Sequence, residues 1–314
     1  MNKAMIDKLP LFEEALKETP SILAQAFETI SDAPNGIAKL RELILDLAVR
    51  GKLVPQDPND EPASVLLVRI DQEKQRLVNE KKIRKPRKLL TPKIKKSIPL
   101  NWSQVYLQDI CWVVTDGDHQ PPPKADNGIP FLVIGNMSQG HISFENTRFT
   151  TTEYHKNLDW SRTPLRGDLL YTVVGSFGIP VIVETDHPFC VQRHVAILKP
   201  SPSVNRCYVR YALASPQAFR QASEGATGTA QKTVSLSTLR GLLIALPPLA
   251  EQKRIVAKVD ALMELCDQIE TRQQARKTIH LNLHKASFAT LTEAKNADDF
   301  NDRWHHIVNH FDTL

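Results

Sequence analysis

The sequence predicts an α+β fold: a mixed or antiparallel β-rich domain joined to long α-helices that form an antiparallel coiled-coil arm. Three patterns predict it. Between residues 98 and 246, proline and glycine recur at roughly 8–12-residue intervals, with short β-rich segments between them. On the N-terminal side, Ile37, Leu40, Ile44, Leu47 and Ala48 repeat with the period of an amphipathic helix. On the C-terminal side, Ile255, Val259, Leu262, Cys266 and Ile269 alternate at spacings of four and three, a coiled-coil seam. At 314 residues the chain can bury a core and divide into more than one unit.

Residues 1–80 read as a helical region. A helix is predicted from Ala15 to Ile30, and Asp32-Ala33-Pro34-Asn35-Gly36 breaks it. The Ile37 helix ends at Arg50, with Gly51 placed where a left-handed residue closes a helix. The turn Pro55–Asp60 leads to Asp60 as N-cap, with Pro62 just inside a helix carrying Leu66, Leu67, Ile70 and Leu77. Residues 81–97 form a basic linker, because Pro86 and Pro92 deny the run a continuous helix. Residues 81–99 hold nine basic and no acidic side chains, whereas residues 100–246 hold 12 basic and 11 acidic. The net charge of +5 is therefore one local run, suited either to a solvated linker or to a polyanion.

In residues 98–246 the strand-like segments are Val113-Val114, Phe131–Ile134, Leu169–Val174, Val181–Val183 and Val195–Leu198. One helix, Val209 to about Ala222, interrupts them. Residues 247–314 open with prolines and Glu251 at the helix entrance, where the dipole favours a carboxylate. The seam turns polar between Glu270 and Thr278 and resumes at Ile279, Leu283 and Ala286. A helix from Leu249 to Leu291 would be roughly 65 Å long. It needs a partner, which can be the Ile37, Leu40, Ile44 and Leu47 face of the same chain, a second copy, or both.

No catalytic constellation survives inspection. Gly225 to Thr233 superficially suggests a phosphate loop, but Gln231 stands where a glycine must precede the lysine. His280 and His284, and the group His305, His306 and His310, lack an HExxH pattern or a carboxylate shell. Asp116-Gly117-Asp118 reads as a turn. No serine elbow or cofactor glycine fingerprint is present, so neither a catalytic nor a metal site is predicted. The four cysteines are widely spaced without a CxxC pair, which points to reduced thiols in the cytoplasm. No stretch approaches the ~20 apolar residues of a membrane helix, so no membrane association is expected.

Leu246-Pro247-Pro248-Leu249-Ala250-Glu251-Gln252-Lys253-Arg254-Ile255-Val256 resembles the segment that opens the long helix of type I restriction–modification specificity subunits. Gly128–Met137, Arg166–Leu170, Val174–Ser176 and Gly225–Lys232 with Val234–Leu236 are similar to successive parts of that family's target-recognition domain. Leu45–Leu53, Pro55–Glu61 and Ile98–Trp102 also match, so the resemblance covers nearly the whole chain in order.

The resemblance implies a non-catalytic subunit that reads double-stranded DNA through residues 98–246. It implies methyltransferase subunits as partners, and restriction subunits through them. S-adenosylmethionine, ATP and Mg²⁺ are then expected only on those partners. With one recognition domain, the chain is expected to be half-sized or an N-terminal half, and a symmetric homodimer through Leu249–Leu291 is one way to read two half-sites. The polar loop residues implied to face DNA are Thr115, His119, Gln120, Asn136, Gln192, Arg193, Thr227, Thr229, Gln231 and Lys232. Arg193 suits guanine, and Gln192 or Asn136 suits adenine. Gly225 and Gly228 would let the backbone approach phosphates, and Lys85, Arg87 and Lys88 would add sequence-independent attraction. Each of these could equally be a solvated or turn-stabilising residue.

Overall fold

The computed structural model describes residues 16–310 apart from residue 18 and residues 31–32, 86–88, 90–97 and 230. Helix α1 (Ser21–Ile30) starts after Pro20, and Ala15 lies outside the described residues. Helix α2 (Gly36–Val49) ends as its sequence predicts: Lys52 N donates to Leu47 O at 3.0 Å, Gly51 N to Ala48 O at 3.3 Å, and Gly51 has φ +66°. Helix α3 (Ala63–Asn79) has Pro62, not Asp60, as its N-cap. Asp60 is drawn off by Arg254, whose guanidinium grips its carboxylate at 2.5 and 3.2 Å.

The β-rich region contains β1 (Ser103–Tyr106), α4 (Leu107–Ile110), β2 (Cys111–Asp116), β3 (Ile129–Leu132), β4 (Arg148–Thr150), α5 (Thr152–Asn157), β5 (Leu169–Thr172), β6 (Pro180–Ile182), β7 (Cys190–Val191) and β8 (Val195–Pro200). After these come α6 (Arg206–Ala214), α7 (Pro216–Glu224), α8 (Leu236–Arg240) and β9 (Leu243–Leu246). Strands β2-β8-β5-β6 form an antiparallel sheet, and β4-β3-β7 form a second sheet in which β3 and β7 run parallel. The antiparallel pair β1–β9 joins the region's two ends. The single helix expected over Val209–Ala222 is two. Ser215, preceding Pro216, takes an extended conformation, and its hydroxyl accepts from Ala218 N to cap α7.

Strands β5 and β8 are buried on both faces. Leu169, Tyr171, Ala196 and Leu198 enter the main core, while Leu170, Val195 and Ile197 enter a second one with Leu132, Phe189 and Val191. The main core runs on through α6, α2 and α9 (Leu249–Thr292), so it crosses the junctions at residues 80/81 and 246/247. At the far end of the four-stranded sheet, α3 is pinned by Glu73. Its carboxylate accepts from Ser201 Oγ at 2.6 Å, Ser203 Oγ at 2.5 Å and Trp112 Nε1 at 3.2 Å.

The first half of α9 packs antiparallel to α2. Ile255, Val259, Leu262, Cys266 and Ile269 are fully buried and share a cluster with Ile37, Leu40, Ile44 and Leu47. Arg41 bridges to Asp267 at 2.5 Å and Glu270 at 2.8 Å. Beyond that point no described element covers the expected seam: Ile279 is 64% exposed and Leu283 half-buried. The reason is length, since the 14 residues of α2 reach about 21 Å and the 44 of α9 about 66 Å. Helix α10 (Ala297–His310) folds back on the end of α9, where Arg303 Nη1 donates to Thr290 O at 2.8 Å.

Where α2, β1 and α9 meet, Glu251 is buried. It accepts from Trp102 Nε1 at 2.8 Å and Gln56 Nε2 at 2.7 Å. Next to it, Gln252 accepts from Asn205 N at 2.8 Å and donates to Pro247 O at 2.9 Å. A Cβ on Gly51 would collide with the Pro99 ring, so the turn after α2 closes directly onto the lead-in to β1.

Burial raises the Glu251 carboxyl pKa, against the opposing pull of the Trp102 and Gln56 hydrogen bonds. The folded chain therefore holds this proton to higher pH than the unfolded chain. The stability this contributes is fully present below the ordinary carboxylate range and is lost as pH rises through the folded value. Comparing urea midpoints across about pH 4–8, Glu251→Gln should flatten that part of the profile. Glu251→Ala strands two donors and should cost about 2–4 kcal/mol at the acid end of that range, less as pH rises.

Candidate nucleic-acid interface

The four-stranded sheet has one end where β2 and β5 finish and β8 begins. Asp116 pairs with Ala196 there, and Thr172 with Val195. The loops that leave this end are 117–120 after β2, 173–179 between β5 and β6, and 192–194 before β8. A fourth segment, 227–233, joins them as a tight reversal. Thr227 and Thr233 exchange backbone hydrogen bonds at 2.9 and 2.7 Å, and Gly228 turns the chain at φ +99°. This reversal is stitched to the β5 loop, because Gly175 N donates to Lys232 O at 3.0 Å and Val234 N to Val173 O at 2.8 Å. On the other side of β5, Val173 N donates to His194 O at 3.1 Å. Segments more than a hundred residues apart thus form one rim.

The rim is held from beneath. Arg162 Nη1 donates to Asp116 Oδ1 and O, each at 3.1 Å, and to Gly117 O at 2.6 Å. Asp118 accepts from Tyr154 OH at 3.0 Å. A Cβ on Gly117 would collide with the Val191 carbonyl, so only glycine lets the 117–120 loop lie against the 191–192 backbone. Asp116-Gly117-Asp118 is a structural turn whose carboxylates are engaged. Among the described residues no group of three or more His, Cys, Asp or Glu is arranged to hold a metal ion.

His119, Gln120, Arg193, Thr227, Gly228, Thr229, Gln231 and Lys232 are exposed along this rim, and Gln192 is half-buried within it. His119 Nε2 lies 3.0 Å from Asp116 Oδ2, and Arg193 Nε lies 3.4 Å from His194 Nε2. Burial, with Arg193 beside it, lowers the His194 pKa, so its imidazole is neutral at pH 7 and adds no cation.

Three expected residues are placed otherwise. Thr115 is a half-buried strand residue paired with Ile197, not a loop residue. Asn136 is buried in a 3₁₀ turn (Ile134–Met137). Its Oδ1 accepts from Val133 N at 3.0 Å and its Nδ2 donates to Glu145 O at 3.2 Å, so the carboxamide fastens its own loop. Gly225 caps α7 with an ordinary φ of −89°, and its missing side chain leaves room for Thr238. In the basic run, Lys85 is exposed, whereas Arg87 and Lys88 lie outside the described residues.

Sequence reasoning missed Phe177 and Phe219, whose rings stack at 5.4 Å and 13° beside the 227–233 reversal. The available signal was that Phe219 stands one position off the buried Ala218–Ala222 stripe of α7.

The family model described as "Type I restriction modification DNA specificity domain" matches residues 99–277. The chain belongs to this family. It is 35% identical over 293 residues to the type I restriction enzyme EcoAI specificity subunit of Escherichia coli, covering 89% of this chain and 48% of that protein. It is 33% identical over 334 residues to the EcoEI specificity subunit of the same organism, covering 100% of this chain and 53% of that protein. The chain thus spans about half the length of the curated specificity subunits it matches. The crystal structure of the HsdS subunit from Thermoanaerobacter tengcongensis aligns with a TM-score of 0.45 and 20% identity, over 76% of this chain and 52% of that one. No helix among the described residues is long and apolar enough to cross a membrane.

The two kinds of polar residue separate by experiment. Asn136→Ala should lower unfolding stability by about 1–3 kcal/mol, because two backbone groups lose buried partners. Arg193→Ala on the rim should shift it by no more than about 0.5 kcal/mol. Urea unfolding of the two variants checks both.

Proposed function

We propose that this chain reads DNA sequence as part of a type I specificity subunit, its rim binding one half-site of a bipartite target. The observation that carries this is the convergence of loops 117–120, 173–179, 192–194 and 227–233 on one edge, within the stretch that matches the DNA specificity domain. Exposed Gln, Thr, His, Arg and Lys side chains on a rigid edge suit donor and acceptor readout in a groove, while backbone contacts set the register. The helical frame docks methyltransferase subunits, and restriction subunits join through them. The chain itself catalyses nothing. S-adenosylmethionine, ATP and Mg²⁺ act on the partners, and the complex works in the cytoplasm.

The uncovered second half of α9 favours a further helix alongside it. Ile279 is 64% exposed and Leu283, on the same face one turn on, is half-buried, on a helix that has outrun α2. A second copy, paired antiparallel, would set two rims on two half-sites of a palindrome separated by a gap.

Methylome sequencing of cells carrying the cognate methyltransferase, with and without this chain, tests these points together. Adenine methylation at a bipartite motif should appear only with the chain, and an unchanged methylome would overturn the proposal. A motif with unrelated halves would overturn the symmetric pair. In binding assays, replacing the Lys and Arg residues of 81–96 with glutamine should reduce the slope of log affinity against log salt. The expected change is about 0.9 for each phosphate that is no longer neutralised, with the preferred sequence unchanged.

A further inference from the structure

The stacked pair joins Phe177 of the 173–179 rim loop to Phe219 of α7 and contributes no polar group. Phe177 is half-buried against the main core, while Phe219 is 49% exposed. The loop that carries Phe177 is rigid. The fully buried Thr172 hydroxyl donates to Ser176 O at 2.9 Å and accepts from Ile179 N at 3.0 Å, and Gly178 N donates to Thr172 O at 3.0 Å. Gly178 has φ +99°, and a Cβ there would stand 2.8 Å from the Phe219 ring, so the ring fills the space a side chain would take. One residue before Ser176, a Cβ on Gly175 would touch Gln231 Nε2 at 3.0 Å. A fixed aromatic surface therefore stands beside the polar 227–233 reversal.

We infer that the Phe177–Phe219 stack is a specificity-determining element that reads the 5-methyl group of a thymine in the major groove. This rests on the DNA-reading function proposed above. In a stacked duplex the base faces are hidden, and the apolar feature a groove offers is the thymine methyl. Gln231 and Lys232, adjacent on the same edge, suit the polar base edges and the phosphate next to it. The immobility of the stack matters, because a preorganised ring loses little conformational freedom on contact.

The test uses the full chain and duplexes carrying the motif found by methylome mapping, with each thymine of the half-site replaced singly by uracil, which lacks the methyl group. With the wild-type chain, one substitution should weaken binding about fourfold, the worth of one buried methyl. Phe219→Ala should bind the thymine duplex about fourfold more weakly and show no further loss at that position, while Phe219→Leu keeps the discrimination. Equal unfolding midpoints verify that the variants are folded. The inference is overturned if every uracil duplex binds like its parent, if the penalty persists undiminished in Phe219→Ala, or if the half-site contains no A·T pair. A wild-type chain that does not distinguish the mapped duplex from a scrambled one would overturn the DNA-reading function as well.

Discussion

The buried carboxylate of Glu251 is the constraint on which the arrangement of the molecule depends. A charge removed from water must find donors, and here they come from two other segments, Trp102 at the start of the β-rich region and Gln56 after α2. The carboxylate meets both donors only while the helical arm and the β-rich region stay docked, and a side chain that could not accept from them would leave buried N–H groups unpaired. Arg254 binding Asp60 and Gln252 binding Asn205 N add two more ties within one turn of helix. The first turn of α9 thus fixes how the β-rich region sits on the arm, and so which way the rim faces.

Much of this frame was legible in the sequence because periodicity and turn chemistry are local. The α2 face, its Gly51 closure and the first half of the α9 seam need no knowledge of distant residues. The motifs in Leu45–Leu53, Pro55–Glu61, Ile98–Trp102 and Leu246–Val256 were each visible, and the structure brings parts of all four to the Glu251 junction. Their convergence could not be read from any of them singly.

The site was less legible. A sequence displays a residue's hydrogen-bonding capacity but not whether that capacity is already spent. Asn136 has both ends of its carboxamide occupied by backbone, and Gly225 is small to admit Thr238. Asp168, in a segment that resembles part of the target-recognition domain, holds the buried Lys199 at 2.5 Å, and burial raises its pKa despite that cation. Such residues resemble surface recognition groups in type and differ from them only in partners contributed by remote chain segments. Phe219 differs again, an apolar ring 49% exposed and stacked on Phe177, which a reading confined to polar loop residues does not single out.

The β1–β9 ribbon has a consequence for how such a protein can change over time. Ser103 lies opposite Leu246, so the chain leaves the helical frame and returns to it at neighbouring points. The 142 residues between them enter and leave through this ribbon, and they rest on the frame through α6, Asn205 and the Glu73 contacts. An insert of different loop content could be exchanged there by recombination, provided it still presents Asn205 to Gln252, Ser201 and Ser203 to Glu73, and the α6 face to the shared core. The frame would be inherited intact while the rim is replaced wholesale.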